Sequence, residues 1–175
     1  EKAGCFDRRR AERLTGLLFT LHADSPAKIA EFIETNFAGD DDASGAINEF
    51  AGDRLLASNR PDAAAERFLA AMKASPRSDL LAKTAGALDR AGRPDEADRL
   101  VLERVLAAGI SGSTYIDVYL DRRLERDGIS ALDSVRRDFA SQTPVLRAAL
   151  RMLADRRESE RKFHLAADEI GRAHV

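Results

Sequence analysis

The residues of this chain best spaced for chemistry lie between positions 40 and 47. Asp40, Asp42, Ser44, Gly45 and Ile47 match, in type and spacing, the first half of a calcium-binding loop. Such a loop sets oxygen ligands at alternate positions, turns sharply at a glycine, and closes the shell with a bidentate carboxylate. The closing position here is Ala51, which has no side-chain oxygen, and Glu49 and Asp53 stand two residues to either side of it. The stretch is therefore expected to be an acidic turn between helices, without a complete cation shell.

Other reactive residues are isolated. His22, His164 and His174 have no metal-ligand neighbour at a useful spacing. Cys5 is the single cysteine, which excludes an internal disulfide and leaves the redox compartment open. Ala3-Gly4-Cys5 ends like a lipid-attachment signal, but Glu1 and Lys2 stand where an apolar segment belongs, so Cys5 reads as an ordinary thiol. A chain opening on Glu1 is expected to be processed or excised from something longer. No phosphate-cradling glycine loop, dinucleotide fingerprint or metalloprotease pair occurs. With 33% charged residues, no acid and base pair stands out from the background. The reading is of a protein that is not an enzyme and takes no cofactor.

Two arginine clusters could meet phosphates: Arg8, Arg9, Arg10 and Arg13, and then Arg156, Arg157, Arg161 and Lys162. A formal charge of −2 supplies no global attraction to nucleic acid. A helical regulatory module that touches nucleic acid through these clusters is thus the second reading, and a solvated N-terminal turn is preferred.

The elements that must position these residues are helical throughout. The basic residues are mostly Arg and Ala is abundant, so helix propensity is high almost everywhere. Aromatics make up 6% and Trp is absent, so the core is aliphatic and alanine-based. The Arg-over-Lys, Ala-rich composition fits a bacterial source. No apolar run approaches the length of a membrane span. A chain of 175 residues can form one domain or one repeat array.

Asn59 to Pro76 and Gly92 to Gly109 repeat one another. Pro61 and Pro94 stand 33 residues apart, as do Ala64 and Ala97. Asn59 and Gly92 tolerate the left-handed backbone that ends a helix. The prolines then fit the first turn of a new helix, and Asp62 and Asp95 put negative charge at its positive end. Each copy therefore reads as helix, tight turn, helix, with helices near 46–58, 62–75, 78–91 and 95–108. A first helix is predicted over 6–22 and a second over 26–37, opened by Ser25-Pro26. Beyond them come a helix over 114–127, a partner carrying Ala131, Val135 and Phe139, and a helix opened by Thr143-Pro144. No breaker separates that last helix from the charged tail, whose narrow apolar face is Phe163, Ala166, Ala167 and Ile170.

In these repeats the chain resembles the tetratricopeptide-repeat family. Small residues stand at Gly52 and Ala85, with large apolar ones at Leu55 and Leu88. The turn residues are Asn59 and Gly92, followed by Ala64 and Ala97, then Phe68 and Val101. Departures are Arg104 opposite Ala71, Gly109 opposite Pro76, and Asn48 and Leu81 where an early aromatic is usual. The resemblance implies an all-α fold: a right-handed superhelical array of antiparallel helix hairpins. It gives one domain over 1–175, with a diverged hairpin at 6–38, repeats at 46–76 and 78–109, a weak repeat at 113–141 and capping helices over 143–173. Tyr119 replaces a small residue in the weak repeat, so that hairpin is expected to pack more openly.

What the resemblance implies about function is a scaffold that holds a partner protein or peptide in a concave groove. The groove positions carried over are Glu49, Asp53 and Leu56, then Asp79, Ala82 and Asp89, then Ile116, Leu120 and Arg123. This set predicts a partner segment with Lys or Arg beside apolar anchors. Glu49 and Asp53 stand where one subclass of the family carries Lys and Asn to clamp a terminal carboxylate, so no such clamp is expected. A place in a larger assembly also fits the pattern.

Overall fold

The computed structural model describes residues 8–22, 25–37 and 40–173, and side chains within them except those of 8, 129, 160 and 162–173. Cys5, His174 and the terminal Ala3-Gly4-Cys5 stretch lie outside the described residues, and the predicted tail face at Phe163 to Ile170 lies outside the described side chains. Among the described residues the chain is all-helical, with no strand. Its backbone forms two compact units that divide between Leu100 and Val101.

The first unit contains α1 (Arg8–His22), α2 (Pro26–Phe37), α3 (Asp41–Ala57), α4 (Pro61–Ala74), α5 (Ser78–Arg90) and the start of α6 (Pro94–Ala108). Helix α3 is its centre and packs against α1, α2 and α4, while α4 also packs against α5. That is why the buried residues of α3, from Ala43 and Ile47 through Asn48 and Ala51 to Leu55, are spread around its circumference. On one side, Ala11, Leu18, Ile29, Ile33, Ile47 and Ala51 form a cluster completed by half-buried Phe19, Phe32 and Phe50. On the other, Leu55, Ala64, Phe68, Ala71, Leu81, Ala85 and Leu88 are buried. Asn48 is buried as well, but its amide donates to the Ser44 carbonyl at 2.9 Å and its oxygen accepts from Arg67 at 3.2 Å. No polar atom is stranded there.

Helices α3 and α4 approach each other closely. A Cβ on Gly52 would fall 2.5 Å from the Phe68 ring, so only glycine admits the ring. Gly45 performs a milder version of the same service, with Ala74 at 3.3 Å from its imagined Cβ. This corrects the expectation for the acidic stretch that begins at Asp40. The acidic stretch is not a loop around a glycine turn, because α3 already begins at Asp41. Asp40 is its N-cap, accepting the Ala43 N–H at 2.9 Å, and Asp41 and Asp42 occupy the first turn, where the helix dipole favours carboxylates. The glycine serves helix packing.

The two predicted turns share one geometry. Asn59 and Gly92 have φ of 55° and 75°. Arg60 N–H donates to the Leu55 carbonyl at 2.9 Å, and Arg93 N–H to the Leu88 carbonyl at 2.8 Å. Ala64 and Ala97 N–H groups then return to the carbonyls of Arg60 and Arg93 at 3.0 and 3.2 Å. Left-handed residues that close a helix in this way satisfy carbonyls the helix leaves open. The guanidinium of Arg93 also reaches Asp62 at 3.2 Å, joining the second turn to the first turn of α4.

The second unit contains the rest of α6, a 3-10 turn at Gly109–Gly112, α7 (Ser113–Asp127), a 3-10 turn at Gly128–Ser130, α8 (Ala131–Asp138) and α9 (Thr143–Ala173). Helix α9 runs without interruption for 31 residues, as the absence of a breaker predicted. Helix α7 packs against α8 and α9, over a core of Ile116, Tyr119, Leu120, Val135, Phe139, Ala149 and Leu153. Tyr119 is buried in this core. Its ring lies 4.7 Å from that of Phe139, tilted by 56°, and its hydroxyl donates to Asp138 at 2.7 Å.

Candidate partner-binding face

The face with most functional promise runs along α3 and α5, and electrostatics organises it. Glu49, one turn before Asp53 on α3, has a nearly buried side chain. It accepts from Arg77 at 2.7 Å and from Lys83 at 2.9 Å. Lys83 also donates to Asp53 at 2.8 Å and lies 5.8 Å from the centre of the Phe68 ring. Arg77, just ahead of α5, forks onto Asp79 with two contacts of 3.1 Å. The result is one network of three carboxylates and two cations that spans α3, the α4–α5 connection and α5.

Burial alone pushes the Glu49 carboxyl up, but the hydrogen bonds from Lys83 and Arg77 together outweigh it and hold the group below the usual carboxylate range. The same balance appears on the cation. Burial opposes the charge on Lys83, and its bonds to Asp53 and Glu49 overcome that and raise its pKa. At Asp79 desolvation is again opposed, chiefly by Arg77, and the pKa is lowered.

Of the nine residues predicted to line a groove, the structure gathers Glu49, Asp53 and Asp79 into this network. Leu56 is half-buried on α3, while Ala82 and Asp89 are exposed on α5. The other three belong to the second unit. Ile116 and Leu120 are both 0% exposed and belong to its core, so in this conformation they offer no area to a partner. With Tyr119 they sit at helical spacing on the inward stripe of α7. Arg123 lies 3.0 Å from Asp138 and 3.7 Å from Asp127, with its guanidinium 5.4 Å from the centre of the Tyr119 ring. It is an internal tie between α7 and α8.

Sequence reasoning missed Arg77 and Lys83, which neutralise most of the acidic row. A signal existed for the lysine: it stands 34 residues after Glu49, one residue beyond the 33-residue repeat offset. In the arginine clusters, Arg9, Arg10 and Arg13 are exposed on α1. Arg156 instead bonds Asp117 at 2.7 Å and pairs with Asp121, which neutralises part of the second cluster. Among the described residues no group of three or more His, Cys, Asp or Glu side chains could hold a metal ion. Among the same residues no helix is long and apolar enough to cross a membrane. Compared with family models, curated proteins and solved structures, the chain finds no match.

Proposed function

We propose that the chain is a non-enzymatic interaction scaffold of tetratricopeptide-like hairpins, which stack as a solenoid and hold a partner segment along the α3 and α5 face. The supporting observation is the equivalence of the two turns, whose hydrogen bonds repeat atom for atom from Leu55, Arg60 and Ala64 to Leu88, Arg93 and Ala97. A unit repeated in this way exposes equivalent helix faces in register, which suits an extended or helical ligand.

The chemistry of the face favours a basic and apolar partner. Three carboxylates share two cations, leaving an excess of one negative charge in the network. The side chains of Asp53 and Asp79 are 42% and 60% exposed, so each keeps an open edge for an incoming Lys or Arg. Leu56 and Ala82 supply apolar area on the same two helices.

The test is capture from source lysate at low and moderate salt, with Asp53→Lys and Asp79→Lys in parallel. A protein partner bound by the wild type and weakened about tenfold by the substitutions supports the scaffold. Recovery of nucleic acid alone, at low salt and equally by all forms, would overturn it in favour of the arginine clusters.

A further inference from the structure

We infer that a cleft at the head of α3 anchors the partner segment by taking one apolar side chain that is flanked by a lysine or arginine; the inference rests on the scaffold reading above. The cleft encloses about 150 Å³ where the first turns of α3, the end of α4 and the start of α5 meet. That is well below the several hundred Å³ typical of a small-molecule pocket, and it suits a single side chain. Interfaces draw much of their affinity from a few such filled pockets.

Its walls are fixed by the fold. Leu80, which is buried, lines the cleft with Ala46, and so does the Glu49 carboxylate that Arg77 ties down. Phe50 packs on the core cluster shared by α1, α2 and α3 and also lines the cleft, so its ring serves both. Gly45 lets the head of α3 close on Ala74 near the end of α4, and that closure makes another wall.

The rim decides which charge is welcome. Asp40 already caps α3, and Asp41 shares its first turn with Asp42, so Asp42 is not alone in meeting the positive end of that helix. Asp42 is exposed on the rim. The lining also includes Ser75, the C-cap of α4, and the last carbonyls of a helix carry partial negative charge. Arg77 is the cation of the lining, but it is committed to Glu49 at 2.7 Å and to Asp79 at 3.1 Å. An incoming Lys or Arg therefore meets a carboxylate and carbonyls, with the nearby guanidinium already balanced.

The experiment screens the intact chain against arrays of dodecapeptides in which Leu, Met or Phe stands beside Lys or Arg, with Gln-substituted and Glu-substituted arrays in parallel. The expected result is retention of the basic–apolar peptides by the wild type. Ala46→Phe, which fills the cleft from a half-buried position, should weaken them about tenfold in a chain that remains folded. Asp42→Asn should erase the preference for Lys or Arg over Gln and keep the requirement for the apolar residue. Nuclear magnetic resonance of the wild type gives a readout free of any folding defect, with the amides of Ala46 and Leu80 expected to shift on peptide addition. Peptides that bind equally to wild type and Ala46→Phe, that leave those amides unmoved, or that bind best when Glu replaces Lys would each overturn the anchor cleft and spare the scaffold. Failure of every array to bind the wild type would overturn both.

Discussion

The Phe68 ring occupies the space where any side chain at position 52 would begin: a Cβ on Gly52 would stand 2.5 Å from it. This single relationship fixes how closely α3 and α4 approach. Gly52→Ala is expected to lower stability by about 1–3 kcal/mol through overpacking, even though alanine is the better helix former by about 1 kcal/mol. Urea unfolding measures the difference. Phe68→Leu in the Gly52→Ala background should recover part of the loss; unchanged stability in the single variant would mean that the ring has room to move.

The charge network predicts an acid limb of stability. Hydrogen bonds from Lys83 and Arg77 depress the folded pKa of Glu49 despite its burial. A depressed carboxyl contributes fully above its unfolded value, near pH 4.5, and that contribution is lost as pH falls through the folded value. Unfolding free energy measured from pH 6 down to about pH 3 should therefore decline, and Glu49→Gln should flatten the decline. At neutral pH Lys83→Met should lower stability by about 1–2 kcal/mol, because Glu49 then keeps one cation of two.

In the second unit Tyr119→Phe removes the hydroxyl that donates to Asp138. Asp138 keeps its contacts with Arg123 and Arg137, so the expected loss is about 0.5–1.5 kcal/mol. The phenol itself should resist ionisation. Burial, followed by its bond to Asp138, pushes its pKa upward against the opposing pull of Arg123. Its stabilising effect is complete below the ordinary tyrosine range and fades as pH rises toward the folded value. Ultraviolet titration checks this: one phenol should ionise only as the protein unfolds in alkali.

Asp40 offers a test of the acidic stretch. As an N-cap it should cost about 0.5–2 kcal/mol when changed to Ala. As a calcium ligand it should make the melting temperature rise with millimolar calcium. The first result is expected and the second is not.

The turns were legible because their signals are local. Asn59 or Gly92 followed by Arg-Pro-Asp dictates a left-handed close and a new helix within a few residues. Gly52 was also readable, since a small residue facing Phe68 is part of the repeat pattern. Gly45 was not. A glycine among aspartates carries the signal of a turn, and the reason it is there, the approach of Ala74, lies 29 residues away. The acidic face was misjudged in the same manner. Glu49, Asp53 and Asp79 looked unopposed because Arg77 and Lys83 meet them only after folding. Ile116 and Leu120 came from carrying a groove register onto α7; both are buried, and their spacing with Tyr119 already described an inward stripe.

Lys83 has a consequence for reagents as well as for neighbours. An ammonium held by Glu49 and Asp53, with its pKa raised, presents very little free amine at neutral pH. It should be acylated by activated esters far more slowly than a solvated lysine. Mass-spectrometric footprinting of that one side chain then becomes an optical-probe-free gauge of whether α3 and α5 are still engaged, usable in a mixture where no partner has yet been purified.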